Sequence, residues 1–393
     1  MYIFLMPYDD AERNPYRALL PEIAVAEPHL LSLLLAYSAS HRARLLGHKE
    51  PEVRMARWIT DVIPRLNSDF SQSPGHSNAS IANLASTIML SSLEIISPNA
   101  FGSKIGWQNH LHFAREMMMS HCLWRPDTNT KEGECCAFLW SWFAYLDVLG
   151  SLSGGQWSNE ISSKWVKSYE IIGREHPNPD EIDCIMGFTI RCVSLLARVS
   201  ELCRKTTAQR MLPGRKINLN WQPDNETRET AEMLAMELRE SLSRDSRVCQ
   251  HIRPGSVDHK SLLEMFSTNE AFHWAGLIHL YRRAMGKTRE DPLVQEAINK
   301  IVYHMSMIRR GGTGETGFLF PMFTAGCETL DMQHRIDIKK RIENVEAHGM
   351  KQDTVGRGVA NIGSQVSQAK HLMLKVWETG DPWETLMQNE FIG

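Results

Sequence analysis

Residues 179–212 read PDEIDCIMGFTIRCVSLLARVSELCRKTTAQRML. Apolar and small side chains recur there every three or four positions, which is the spacing of one face of an α-helix. The stripe comprises Ile182, Ile185, Met186, Ile190, Val193, Leu196, Ala197, Ser200 and Cys203. The pattern predicts one long helix over this stretch, with one buried face.

Similar segments follow one another along the chain. They predict helices over 28–48, 78–97, 107–124, 132–155, 224–245, 267–286, 291–312, 321–349 and 361–378. Segment 132–155 is apolar through its middle and ends in glycine, so we expect it to be buried on most sides. Residues 214–221 alternate briefly, but one short strand would have no partner.

These patterns predict an all-α fold, an array of antiparallel-packed helices forming one large helical domain. That domain would cover 1–393, with a core of about 8–388. The clearest breaks are the loops at 67–80, 154–180 and 204–224, and none is long or repetitive enough to be a domain linker.

Charge and cysteine usage limit the classes of function. Basic residues number 43 and acidic residues 46, for a net charge of −3. A protein that binds DNA through its own surface usually has a basic excess, so we expect no direct sequence-specific DNA contact. The eight cysteines include no C-x2-C pair, which favours buried free thiols in a reducing compartment. The first residues lack the features of a signal peptide, and no uninterrupted apolar run approaches 18 residues, so no membrane span is expected.

Residues Gly312–Gly317 formally match the dinucleotide-binding pattern G-x-G-x-x-G. That fingerprint must follow a strand and open a helix, whereas the residues before Gly312 are helical in pattern. A P-loop would need a lysine after its last glycine, and Phe318 stands there. The stretch is therefore interpreted as a flexible turn between two helices, with glycine supplying a positive φ, and no cofactor is expected.

Metal and catalytic motifs are equally weak. His110 and His112 are two positions apart, so on a helix they point about 200° apart and cannot share a metal. Residues 9–12 fit the letters D-D-x-E of an Asp-rich metal motif, but a turn is the simpler interpretation. The sequence also has no G-x-S-x-G. We expect no metal site, no catalytic residue and no enzyme activity.

Asp147 stands among aromatic residues, and a buried carboxylate needs a partner or a shifted pKa. It could contact a ligand or act as a switch, or it could pair with a group such as an arginine and fix helix packing. His41, three positions after Ser38, is open to the same two interpretations. The small residues Thr324–Cys327 would allow two helices to approach closely.

Four segments, in this order, resemble a known family: NPYRALLPEIAVAEPHLLSLLLAYSASHRA (14–43), FLWSWFAYLDVLGSLSGG (138–155), FPMFTAGCETLDMQHRIDIKKRI (320–342) and HLMLKVWE (371–378). Together they resemble the fungal-specific transcription factor domain, the regulatory domain of fungal binuclear zinc-cluster transcription factors. The matching positions, for which we expect structural roles, are Asn14, Pro15, Pro21, Ser38, His41, Asp147, Gly326, Cys327, Glu328 and Arg335.

The resemblance implies an all-α nuclear regulator of transcription by RNA polymerase II, with protein partners such as a DNA-binding module or a coregulator. The resemblance is also compatible with a small-molecule effector and with a homodimer. The family reads DNA through an N-terminal zinc cluster whose six cysteines begin C-x2-C-x6-C, and this sequence has no such motif. Three explanations of the missing motif remain open. The chain would be a piece of a longer protein, a regulator that depends on a DNA-binding partner, or a domain with another role. A helical interaction scaffold outside transcription and a helical enzyme with an unrecognised site are the alternatives.

Overall fold

The computed structural model describes residues 14–46, 48–71, 77–96, 106–120, 130–153, 159–214, 216–218, 220–249, 252, 255, 257–348, 365–387 and 390–393. Helices dominate the part of the chain so described, and the all-α prediction is confirmed. These residues fall into two compact units, one within Tyr8–Asp147 together with Gln365, and one within Val148–Gly349 and Val366–Gly393. The expectation of one domain over 1–393 stays a prediction.

The first unit contains α1 (Pro15–Ala26), α2 (Pro28–Leu45), α3 (Glu52–Ile59), α4 (Val62–Ser71), α5 (Ser77–Ile96), α6 (Trp107–Ser120) and most of α7 (Lys131–Leu152). Helix α5 packs against α2 and α6. Its described side chains from Ile81 to Ile95 are all buried, so α5 forms the centre of this unit.

The second unit contains α8 (Asn159–Glu175), α9 (Ile190–Arg210), α10 (Asn225–Leu242), α11 (His259–His279), a π-helical turn (Leu280–Ala284), α12 (Pro292–Met307), α13 (Thr313–Gly317), α14 (Leu319–Glu328), α15 (Met332–His348), α16 (Gln365–Thr379) and α17 (Trp383–Leu386). Helix α11 packs against α9, α10, α12 and α14, and fifteen of its residues are buried. It forms the core of the unit.

The stretch 179–212 is helical only in its second part, so the prediction of one helix over its whole length is wrong. The side chain of Asp183 accepts hydrogen bonds from the backbone N–H groups of Ile185 and Met186, and Gly187 has φ +80°. This turn competes with helix formation. Helix α9 then begins after Thr189, whose hydroxyl accepts from the N–H of Cys192 as an N-cap.

Small strands occur among the described residues. Strand β1 (Glu181–Ile182) pairs in parallel with β4 (Arg247–Val248), and β2 (Met211–Leu212) pairs antiparallel with β3 (Lys216–Ile217). The expectation that the strand within 214–221 would lack a partner is therefore wrong. Gly214, with φ +77°, allows the chain to turn between β2 and β3.

Several helix boundaries differ from the prediction. Segment 321–349 is two helices, α14 and α15, because Thr329 takes an extended conformation with ψ 137°. Helices α1, α3, α4 and α8 were not predicted, and α8 lies within the expected loop at 154–180. The pattern of α4 is short, and α1 contains Pro21, which weakens a helix signal.

Helix α7 is long and apolar enough, by length and composition, to cross a membrane. This differs from the expectation that no run would reach that size, because the apolar residues of a long window outweigh the few polar residues that interrupt it. The most apolar window of α7 is 89% buried inside the protein. Burial on most sides was predicted for this segment, and it is the environment of a core helix.

Candidate functional site

Four of the family-signature positions gather where α14 ends. All ten residues of α14 are buried, including Gly326, Cys327 and Glu328. A Cβ atom at Gly326 would collide with Sδ of Met373 on α16 and would lie 3.2 Å from Cγ2 of Ile338 on α15. The absence of a side chain at this position therefore allows α14 to pack closely against both helices, as the run of small residues predicted.

Arg335 and Trp377 bond the carbonyl groups at the end of α14. Nε and Nη2 of Arg335 donate to the carbonyl oxygen of Thr329 at 3.2 and 3.1 Å, and Nε1 of Trp377 donates to that of Gly326 at 2.7 Å. The Arg335 guanidinium lies over the Trp377 ring, 5.5 Å from its centroid. The last carbonyl groups of a helix lack partners within the helix, so these donors stabilise its end.

Glu328 is the acidic centre of this cluster. Its side chain is 3% exposed, and Oε2 accepts from Nε of Arg282 at 2.7 Å and from Nε of Arg289 at 3.3 Å. One carboxylate thus holds the π-helical turn and the loop that follows it against α14. A buried carboxylate is tolerated when it is paired in this way.

The thiol of Cys327 is unsuited to chemistry. Burial, with a smaller contribution from the Glu328 charge, raises its pKa well above the ordinary value. The thiolate form is the nucleophile and the metal ligand, and it is suppressed here. Within the described residues, no group of three or more His, Cys, Asp or Glu side chains could hold a metal ion.

The glycine-rich segment 312–317 forms the short helix α13 rather than a flexible turn. Glu315 is buried and accepts hydrogen bonds from Nη1 of Arg341, from Nδ2 of Asn344 and from the backbone N–H of Gly311. The positive φ belongs to Gly311, at +74°, which precedes the segment. The carboxylate that orders this segment would repel a phosphate.

The remaining signature positions lie in the first unit, each with its own surroundings. Asn14 caps α1 by accepting from the N–H of Tyr16 at 3.0 Å, and Pro15 is the first residue of that helix. Pro21 lies inside α1. On α2, Ser38 is exposed and His41 is half-buried. These positions belong to α1 and its cap, to α2 and, for Asp147, to α7.

Asp147 has the partner that its burial requires. Nη2 of Arg115 on α6 donates to its Oδ1, and the two side chains are 3% and 4% exposed. The pair joins α6 to α7, which is the packing role considered for Asp147. His110, also on α6, has its pKa lowered to about 4 by burial and is therefore neutral near pH 7. The metal-motif letters at residues 9–12 lie outside the described residues.

A sequence model of the fungal specific transcription factor domain matches residues 1–391. The chain belongs to the fungal-specific transcription factor domain family. It is therefore a transcription regulator in the general sense that this family defines. The family is a regulatory domain of transcription factors and is not typically enzymatic. Searches of curated proteins and of solved structures returned no match.

The sequence of this chain did not show which arginines pair with its buried glutamates. Arg282 and Arg289, which hold Glu328, and Arg210 and Arg283, which hold Glu384, are such residues. The available signal was the basic run RRAMGKTR at 282–289. On a helix such a run is commonly a solvated face, and only packing shows that Arg283 is buried.

Proposed function

We propose that this chain is the regulatory domain of a nuclear transcription factor for RNA polymerase II genes, and that another module supplies DNA contact. That module would lie elsewhere in a longer protein or on a protein partner. The observation that carries the proposal is the family match over residues 1–391. The net charge of −3 agrees with a chain that does not read DNA through its own surface.

The described cysteines give independent support. Cys135, Cys136, Cys184, Cys192, Cys203, Cys249 and Cys327 are all buried. Burial raises the pKa of Cys136 and of Cys203 to about 11. Zinc clusters bind through thiolates, so thiols held protonated inside a helical core favour a packing role.

Regulation would be a population shift. An effector or partner that binds one packing of the helices more tightly than another would change how the attached DNA-binding module is presented. We further propose that the ten signature positions act by stabilising this scaffold, as a cap, as close contacts and as buried ion pairs. A homodimer is part of the proposal and is tested by the mass of the purified protein in solution.

The function is tested by fusing the chain to a heterologous DNA-binding module in a fungal cell. We expect reporter expression to rise or fall relative to the module alone, and a fluorescent fusion to accumulate in the nucleus. The matched control is the same fusion carrying Asp147→Ala, which removes the carboxylate that pairs with the buried Arg115 guanidinium. Equal reporter expression from the fusion and the module alone, with the protein folded and present, would contradict the proposal.

DNA binding is tested with the purified chain. We expect no sequence-specific binding to duplex DNA at physiological salt. If the chain alone selects a specific duplex, the proposal that another module supplies DNA contact is wrong. The genomic DNA upstream of the codon for Met1 separates the two sources of that module, because an open frame with C-x2-C-x6-C would indicate a longer protein.

A further inference from the structure

Glu384 on α17 lies between two buried arginines of the second unit. Its carboxylate is 2.5 Å from Nη2 of Arg210 at the end of α9 and 2.8 Å from Nε of Arg283 in the π-helical turn. The three side chains are between 6% and 10% exposed. Two guanidinium groups therefore share one carboxylate, so this buried cluster has an excess of positive charge.

The neighbouring side chain, Trp383, fills an aromatic pocket beside the same arginine. The Arg283 guanidinium lies 5.3 Å from the centroid of the Trp383 ring. The rings of His279 and Phe323 pack edge-on against it, at 5.7 and 5.8 Å. Burial lowers the pKa of His279 well below its ordinary value, so the ring is neutral and packs as an aromatic group. We call this pocket and the two arginines the Arg–aromatic groove.

Buried side chains, among them Trp383, Met387 and Phe391, anchor the segment that fills the groove. Gly380, with φ +77°, and Pro382 separate α17 from α16. The N–H groups of Thr385 and Met387 donate to carbonyl groups within the segment itself. Links to the rest of the unit include Trp383, Glu384 and the Ser153 hydroxyl, which bonds the backbone of Ile392 at 2.9 Å.

We propose that the described residues of this segment, 381–387 and 390–393, occupy a peptide-recognition groove within their own molecule, and that a partner peptide with an aromatic residue next to a carboxylate displaces them. This inference does not depend on the role in transcription. The groove recognises such a peptide by its two arginines and its aromatic pocket. Charge-assisted arginine–carboxylate contacts and burial of an aromatic side chain are strong determinants of peptide affinity.

The excess positive charge favours a partner peptide over the chain's own segment in binding to the Arg–aromatic groove. Burial alone would raise the pKa of Glu384, but Arg283 and Arg210 outweigh it and hold the pKa below its ordinary value. A peptide with two adjacent carboxylates would neutralise both guanidinium groups, which Glu384 alone does not. Such a peptide has to overcome the effective concentration of the tethered segment, which is of the order of millimolar for short tethers.

The test uses a fluorescein-labelled peptide with the sequence of residues 381–393, DPWETLMQNEFIG, and the full chain. Fluorescence anisotropy compares the wild type with the variant Trp383→Ala/Glu384→Gln, whose own segment is weakened. We expect the double variant to bind the peptide at least tenfold more tightly than the wild type. A peptide with Trp and Glu both replaced by Ala should not bind.

Adding Arg210→Met to the double variant should abolish peptide binding, because this guanidinium contacts Glu384. The matched control adds Arg244→Met, an arginine on the surface paired with Glu240 in an i, i+4 contact. This control should bind the peptide as tightly as the double variant. Equal affinities for the wild type and a folded double variant, or unchanged binding after Arg210→Met, would overturn the proposal.

A second measurement covers the case in which the double variant does not fold. Hydrogen exchange of the wild-type chain is followed with and without a saturating peptide in which Thr385 is replaced by Glu, giving adjacent carboxylates. We expect the amides of residues 383–387 to exchange faster when this peptide is present. Unchanged exchange at saturating peptide concentration would show that the segment is not displaced.

Discussion

Nη1 of Arg341 donates a hydrogen bond of 2.5 Å to Oε1 of Glu315, and both side chains are buried. Nη2 of the same arginine donates to the carbonyl groups of Met305 and Ile308 at the end of α12. One ion pair thus ties α13 to α15 and to the last turn of α12. The path of the glycine-rich segment depends on this carboxylate as well as on glycine.

Replacing Glu315 with Ala should strongly destabilise the second unit. The change leaves the Arg341 guanidinium buried with its charge uncompensated, so we expect a loss of about 3–5 kcal/mol in the free energy of unfolding. Chemical denaturation followed by circular dichroism measures it. The control is Glu343→Ala, a partly exposed carboxylate on α15, which should change stability by no more than about 0.5 kcal/mol. Equal effects of the two changes would contradict the role of the pair.

Replacing Asp147 with Ala should have a similar effect in the first unit. The buried Arg115 guanidinium would lose the carboxylate of Asp147, and we expect a loss of about 3–5 kcal/mol in the free energy of unfolding. Glu116→Ala is the control, because Glu116 lies next to Arg115 on α6 and its side chain is 49% exposed. An Arg115→Met/Asp147→Leu double variant should recover part of the loss, since it removes both charges of the pair and leaves apolar side chains in their place. Failure of the double variant to improve on Asp147→Ala would argue against the pair as the cause.

Replacing Gly326 with Ala should destabilise the end of α14. The added Cβ would collide with Sδ of Met373, and overpacking of this kind costs about 1–3 kcal/mol. The better helix propensity of Ala offsets about 1 kcal/mol, so we expect a net loss of about 1 kcal/mol. Gly314→Ala is the matched control, because its nearest heavy atom would be 3.7 Å away. Thermal unfolding should show a lower midpoint for Gly326→Ala only.

The pH dependence of stability should carry a contribution from Glu94. Burial raises the pKa of this carboxyl group from 4.5 to about 7. Between these values the folded protein retains a proton that the unfolded chain has lost, so stability from Glu94 is full below pH 4.5 and falls as pH rises towards 7. The change is at most about 3 kcal/mol.

Glu94→Gln removes this titration while keeping a similar shape. The free energy of unfolding is measured for both proteins at several values between pH 4.5 and 7.5. We expect the wild type to lose stability relative to the variant as pH rises, because other titrating groups contribute equally to both. A constant difference between the two proteins across this range would show that Glu94 has an ordinary pKa in the folded protein.

Helices with a regular apolar stripe are the part of this fold that the local sequence predicts best. The stripe from Ile190 to Cys203 predicted a helix with a buried face, and α9 has those residues buried. The first part of the same prediction failed, because the Asp183 side chain and Gly187 form a turn whose bonding competes with the helix. The spacing of apolar residues does not show that a side chain and a glycine favour a turn over the helix.

The partner of each buried charge is the part that the sequence did not predict, although pairing with an arginine was considered for Asp147. Arg115 and Asp147 are 32 positions apart, Arg341 and Glu315 are 26 apart, and Arg210 and Glu384 are 174 apart. A periodic pattern shows which face of a helix is apolar, but not which helix packs against it. The partner of a buried charge is therefore set by tertiary packing.

The sequence by itself determined the helical class, most of the helices and, through four ordered segments, the family to which the chain belongs. Those features follow from local propensity and from the spacing of apolar side chains. The tertiary structure alone decided that Gly326 lies against Met373, that Glu315 orders the glycine-rich segment, and that Glu384 lies between two arginines. These contacts join residues far apart in the chain, and they form because buried charges and close helix contacts are stable only in one arrangement of the whole unit.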